Sequence, residues 1–168
     1  QAFATHRPTY IGSVPRVFEK VHASASAAAQ AKGERGAKVF AAAEATAVEW
    51  ARTDSPGLGL RVRHALFDRL VYRKLRAALG DECRTIISGG SALSEHLSDF
   101  FAGVGLEIIE GYGLSETSPV VCVNPHGMRD FSGTIGYPLP STEVSIRDVA
   151  GEPVPIGQPG EICVRGPQ

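Results

Sequence analysis

The chain has no charge excess, no long apolar run and few cysteines. Its 17 Lys and Arg nearly cancel 18 Asp and Glu, leaving a net charge of −1. A nucleic-acid binder would carry a clear basic surplus, so no nucleic-acid partner is expected. No stretch approaches the roughly 18 apolar residues that span a bilayer. The opening Gln1-Ala-Phe-Ala-Thr-His-Arg7 also lacks a signal peptide's basic region followed by an apolar stretch. A cytoplasmic location follows as the expectation. Cys83, Cys122 and Cys163 are odd in number and far apart, which suits reduced, buried thiols better than a disulfide framework or a zinc site. Methionine occurs once, at Met128, and the chain stops just after the strand-like Glu161-Ile-Cys-Val-Arg165. It reads as an internal piece of a larger protein.

Two nucleophile and cofactor signatures are missing as well. No Gly-x-Ser-x-Gly occurs, as a serine hydrolase would need at a strand-to-helix turn. Gly111-Tyr-Gly-Leu-Ser-Glu116 fails the dinucleotide fingerprint because glutamate holds its last position.

What is present is an α/β pattern. With 168 residues and 43% hydrophobic content, one core can form. Residues 8–14 read as a short strand, and Pro15 opens a helix where its missing N–H costs little. The helical stretch runs over 15–80, interrupted at Gly33 and Gly36 and broken at Asp54-Ser-Pro-Gly57. Val39, Phe40, Ala43, Ala47 and Trp50 recur at helical spacing, and Trp50 is expected in the helical layer. Over 60–79, Leu66, Leu70, Leu75 and Leu79 are expected on one buried stripe, with Gly80 as the stop.

The basic run Arg61, Arg63, His64, Arg69, Arg73, Lys74 and Arg76 reads as the solvated face of that amphipathic helix. The alternative is a peripheral contact with acidic headgroups on the inner face of a membrane. His96 is expected simply to be exposed. Residues 83–111 form a strand–helix–strand unit with parallel strands. Ser94 caps the helix, Leu97, Phe100 and Phe101 face inward, and Gly103 and Gly105 close it. Adjacent isoleucines at 86–87 and 108–109 suit a sheet covered on both faces. After Pro125 helical periodicity gives way to Gly/Pro turns between short strands.

The segment Glu110-Gly-Tyr-Gly-Leu-Ser-Glu-Thr-Ser118 carries the chemistry. A strand ending in Gly-aromatic-Gly is expected to make a tight turn, with Gly111 and Gly113 free to take positive φ. Tyr112 offers a stacking face, Ser115 a hydroxyl and Glu116 a hard carboxylate suited to Mg²⁺. Taken alone, the glycines would make a plain turn and Glu116 a helix-start acid.

Four motifs occur together: Ile86-Ile-Ser-Gly-Gly-Ser-Ala-Leu93, Tyr112-Gly-Leu-Ser-Glu116, Gly133-Thr-Ile-Gly-Tyr-Pro-Leu-Pro140 and Gly160-Glu-Ile-Cys-Val-Arg-Gly-Pro167. Their order and spacing resemble those of the adenylate-forming enzymes, the superfamily of AMP-dependent synthetases and ligases. The opening Arg7-Pro-Thr-Tyr-Ile-Gly-Ser-Val-Pro-Arg-Val-Phe-Glu-Lys20 and the long helical stretch are most similar to the long-chain fatty acyl-CoA synthetases.

The resemblance implies the βαβ parallel-sheet portion of an adenylate-forming N-terminal domain (1–128), then the start of a small β subdomain (129–168), both incomplete. It implies ATP, a fatty acid and coenzyme A as substrates, AMP and pyrophosphate as products, and Mg²⁺ as the metal. Gly90, Ser91 and Ala92 would line the adenine, and Glu110, Gly111, Tyr112, Gly113 and Leu114 would form the other wall. Ser115, where the family has threonine, would meet a phosphate oxygen, and Glu116 would bind the metal. The family's phosphate loop, ribose-binding aspartate and C-terminal catalytic lysine have no counterpart here. The isolated chain is therefore expected to be inactive without the missing parts of its parent. The alternatives are a noncatalytic remnant or a ligase for another carboxylic acid.

Overall fold

The computed structural model describes residues 5–127 and 133–167, so the expected boundary at 128/129 lies outside the described residues. The chain begins with strand β1 (Tyr10–Ser13), followed by helices α1 (Pro15–Gln30) and α2 (Glu34–Ala51). Pro15 stands in the first turn of α1 and Gly33 directly precedes α2. Helix α3 (Leu58–Phe67) runs through a π-helical turn at Asp68–Tyr72 into α4 (Arg73–Ala78). Strand β2 (Thr85–Ser88), helix α5 (Glu95–Val104) and strand β3 (Glu107–Gly113) then give the expected strand–helix–strand unit. Short strands β4 (Val120–Val123), β5 (Tyr137–Pro138), β6 (Glu143–Arg147) and β7 (Glu161–Arg165) complete it.

The main sheet has the order β1-β2-β3-β4-β5. The first three strands are parallel, with Ile86 beside both Ile11 and Ile108. β4 and β5 join antiparallel, which the parallel expectation did not include. β6 and β7 form a separate antiparallel pair in which Ser145 faces Cys163.

Helices α1, α2 and α5 close over the sheet around Phe18, Phe40, Phe100 and Phe101, with Phe18, Phe100 and Phe101 fully buried. Phe18 and Phe101 meet edge-on at 6.0 Å, and Phe100 and Phe101 at 5.2 Å. Burying each such ring contributes about 1.5–3 kcal/mol. Ser94 caps α5 by accepting from the Leu97 N–H, and Gly105 ends the helix in the left-handed region. Gly103 does not end the helix as expected. It lies inside α5, where its bare backbone lets Ala47 of α2 pack at close range.

The leucine stripe is corrected. Leu75 and Leu79 are buried, but Leu66 and Leu70 are 53% and 47% exposed. The inward residues are Leu60, Phe67 and Tyr72 instead. Leu66 and Leu75, nine residues apart, lie about half a turn from each other on α-helical winding and share no stripe; the π-turn then brings Tyr72, Leu75 and Leu79 round to the face of Leu60 and Phe67. Tyr72 then donates its hydroxyl to the Ala43 carbonyl at 2.7 Å. Burial, with Asp68 nearby, pushes its phenol well above the ordinary tyrosine range.

His96 is likewise not free. It and His22 both meet Glu44 Oε1 at 2.8 Å, joining α1, α2 and α5. Trp50 stacks on His64 at 4.1 Å within the helical layer, as expected. Cys83 and Cys122 are buried, whereas Cys163 is partly exposed rather than buried.

Candidate functional site

Strands β2 and β3 run side by side, with Ser88 opposite Glu110 at their carboxyl ends. Of the two segments singled out in the sequence, the first leaves the sheet there, while the second continues along β3 to Gly113, paired with β4. In a parallel α/β sheet this crevice beyond the strand ends is the usual place for a ligand. From β2 the chain enters Gly89-Gly90-Ser91-Ala92, and Gly90 takes φ 86°, a conformation that favours glycine. Gly89 donates its N–H to the Ser13 carbonyl at 3.1 Å, which ties the turn to β1.

Glu110 serves the scaffold: its carboxylate accepts the Leu93 N–H at 2.9 Å and fastens the end of that turn. A pinned turn leaves Ser91 and Ala92 exposed at the sheet's end.

The glycines of the second segment act differently from expectation. Gly111 and Gly113 lack positive φ; both belong to β3 and pair with β4. Gly113 is needed because the chain doubles back against it. A Cβ there would fall 1.7 Å from the Pro119 carbonyl oxygen. A Cβ on Gly111 would meet nothing closer than the Cys122 carbonyl at 3.5 Å. The turn itself comes later, as one 3₁₀ turn at Ser115–Thr117 followed by Ser118 at φ 55°.

Thr117, which the sequence reading passed over, holds this turn. Its hydroxyl accepts the Leu114 N–H at 3.0 Å and donates to the Pro119 carbonyl at 2.7 Å. With that work done by Thr117, Ser115 and Glu116 stay exposed, and among the described residues neither side chain has a hydrogen bond or ion pair. Leu114 is also exposed, and Tyr112 is half-buried beside Cys122.

Ser88, buried under the first turn, has a hydroxyl with no hydrogen-bond partner among the described residues. Its position at the end of a buried strand was the available signal. The structure thus brings together all the predicted residues from Gly90 to Ala92 and from Glu110 to Glu116 on one edge. Glu110 and Gly113 also do structural work there, Glu110 fastening the first turn and Gly113 admitting Pro119.

One hard oxygen donor faces outward here, the Glu116 carboxylate. Among the described residues, no three His, Cys, Asp or Glu gather as a ready-made metal cage. Mg²⁺ is commonly held by one or two carboxylates together with substrate phosphates, so a single exposed carboxylate is compatible with that ion. The grooves elsewhere, one between α1, α2 and α4 and one near Trp50 and Arg84, include none of these residues.

Comparison with known proteins places the chain in a family. Residues 1–168 match the AMP-binding enzyme family. The chain is 46% identical over 166 residues to the long-chain-fatty-acid–CoA ligase FadD15 of Mycobacterium tuberculosis, covering 97% of this chain and 26% of that protein. It is 35% identical over 176 residues to the peroxisomal long chain acyl-CoA synthetase 7 of Arabidopsis thaliana, covering 98% and 23%. The chain therefore spans about a quarter of the length of these relatives. The fold is similar to that of a long-chain-fatty-acid-CoA ligase, FadD1, from Archaeoglobus fulgidus, with a TM-score of 0.59 at 15% identity over 99% of this chain and 26% of that one. A benzoate CoA ligase from Burkholderia xenovorans gives a TM-score of 0.57 at 24% identity, covering 99% and 24%.

Proposed function

The chain belongs to the AMP-binding enzyme family, and we propose that it supplies half of the nucleotide pocket of an ATP-dependent long-chain fatty acid–CoA ligase. The observation that carries this reading is the pairing of Ser88 with Glu110, which sets the Gly90–Ala92 turn beside the end of β3 that leads through Tyr112 to Glu116. The relatives' names favour a long-chain carboxylate.

In the proposed reaction a fatty carboxylate attacks the α-phosphate of ATP, pyrophosphate leaves and acyl-AMP forms. The CoA thiol then displaces AMP. The exposed backbone from Gly90 to Ala92 lines one side of the adenine, and Tyr112 with its neighbours lines the other. Ser115 donates its hydroxyl to a phosphate oxygen. Glu116 holds Mg²⁺, which when bound neutralises charge on the phosphates. Oriented donors fixed by the fold stabilise developing charge without reorganising. No helix among the described residues is long and apolar enough to cross a membrane. The reading places the parent protein in the cytoplasm, with peripheral contact to the membrane's inner face.

The test is ATP–pyrophosphate exchange by the full-length parent with palmitate. Glu116→Gln keeps size and hydrogen bonding but removes the charge. It should lower exchange by about 10²–10³ and leave the thermal midpoint unchanged. Thioester formation from supplied acyl-AMP should suffer much less, because no pyrophosphate leaves in that step. Unchanged exchange with lowered thermal stability would return Glu116 to a helix-start acid.

A further inference from the structure

Helix α3 and its π-turn have two apolar faces. One packs on the core through Leu60, Phe67 and Tyr72. The other consists of Leu58, Val62, Leu66 and Leu70, which are 78%, 63%, 53% and 47% exposed. They recur every four residues. At about 100° per residue such a step drifts only about 40°, so they form one slanting row. On the same winding, Leu60 and Phe67 lie on roughly the opposite side.

Single exposed leucines are ordinary; an uninterrupted row is not. The row also continues sideways, because Leu70 and Lys74 line the groove of about 720 Å³ between α1, α2 and α4.

Charge says what covers this face. Arg61, Arg69, Arg73 and Lys74 are all exposed along the helix. The one acid between 58 and 78 is Asp68, and it is engaged by Arg76 at 2.7 Å and Arg73 at 3.8 Å. Around the groove the charged lining is Lys20, Lys32, Arg35 and Lys74, with no acid. A protein partner with an apolar contact would leave this cationic border unmatched unless it were acidic throughout. An anionic lipid surface matches both features together: hydrocarbon beneath, phosphate around it.

We propose that this face docks the parent protein on anionic membranes. Leu58, Val62, Leu66 and Leu70 enter the boundary between headgroups and acyl chains, and Arg61, Arg69, Arg73 and Lys74 meet lipid phosphates. The inference gives the peripheral contact a surface and does not depend on the nucleotide site.

The test is co-sedimentation of the full-length parent with phosphatidylcholine vesicles, with and without phosphatidylglycerol. Binding should require phosphatidylglycerol and weaken with added salt. Arg69→Glu with Lys74→Glu should cut vesicle affinity by about fivefold or more per cation, and Val62→Glu with Leu66→Glu by at least as much. Pyrophosphate exchange in vesicle-free solution should stay unchanged in both double variants.

Failure of the parent to bind anionic vesicles would overturn the proposal, as would equal binding by both variants. A third contrary result is a lowered thermal midpoint in the Val62/Leu66 variant with undiminished vesicle binding in the Arg69/Lys74 variant. That pattern would mean that another part of the parent covers the row.

Discussion

Gly113→Ala tests whether the turn bearing Ser115 and Glu116 is held by the packing seen here. The added Cβ would lie 1.7 Å from the Pro119 carbonyl oxygen, 2.6 Å from its carbonyl carbon and 2.9 Å from Val120 Cα. Cβ contacts shorter than 3.0 Å are essentially never seen, so Pro119 must retreat by about 1.3 Å, the difference between 3.0 and 1.7 Å. All three obstacles are backbone, so no side-chain rotation relieves them. Overpacking of this kind costs about 1–3 kcal/mol.

The retreat also draws the Pro119 carbonyl away from the Thr117 hydroxyl, now 2.7 Å from it. Losing that bond adds about 1 kcal/mol. A total of roughly 2–4 kcal/mol is expected. Because the same hydroxyl fixes the Leu114 N–H, Ser115 and Glu116 should move with it. A displacement near 1 Å typically costs about 10²-fold in rate.

The matched control is Gly111→Ala, two residues earlier in the same strand. Its Cβ meets nothing closer than 3.5 Å, and the loss of glycine's unfolded-state freedom offsets minor strain. Denaturant unfolding should therefore separate the two variants clearly, with Gly111→Ala close to the parent. Pyrophosphate exchange should fall in Gly113→Ala. If Gly113→Ala unfolds like the parent, or if Gly111→Ala is equally destabilised, close approach of Pro119 is not what requires glycine at 113.

Two further predictions concern the helical layer. Tyr72→Phe removes a buried donor from the Ala43 carbonyl while preserving the ring, so denaturant unfolding should show a loss of about 1 kcal/mol; no loss would show that the bond contributes nothing net. For Glu44, burial acts to raise the carboxyl, but hydrogen bonds and charge from His96 and His22 outweigh it and hold the group below its ordinary value near 4.5. A lowered folded-state value contributes stability that is present above the unfolded value and lost as pH falls through the folded one. The thermal midpoint of Glu44→Gln should thus lie below the parent's at neutral pH and converge with it below about pH 4.5. A gap that stays constant with pH would dismiss the ion-pair account.

The sequence was legible where a local pattern decides the outcome. Ser94 caps α5 and Gly105 stops it as expected, and Ile108 and Ile109 are both buried, but of the β2 pair only Ile86 is buried while Ile87 is half-buried. It was not legible where a distant partner decides. His96 looked free because its partner Glu44 lies 52 residues earlier, and Gly103 looked like a stop because Ala47 was invisible from sequence. Leu66 and Leu70 lie about half a turn from Leu75 and Leu79 on plain α-helical winding, and the π-turn after Phe67 turns Tyr72, Leu75 and Leu79 onto the buried face. A π-turn has no reliable local signature, yet it resets the phase of every later residue. The antiparallel β4 and β5 escaped because each is short and bounded by turn residues.

The two glutamates of the site show why residue type alone did not assign roles. Glu110 and Glu116 stand six positions apart around one strand end. Strand β3 pairs in parallel with β2 up to Glu110, and from Gly111 its partner is the antiparallel β4. At that switch the Glu110 carboxylate accepts the Leu93 N–H and is consumed in fixing the turn. Beyond the switch the chain must fold back over itself, and Thr117 supplies the internal acceptor and donor for that reversal. Glu116 is therefore left with no structural duty among the described residues. The partner switch thus makes one carboxylate a brace and leaves the other exposed within the same crevice. Surroundings, rather than residue type, decide which of the two carboxylates is spent on the scaffold.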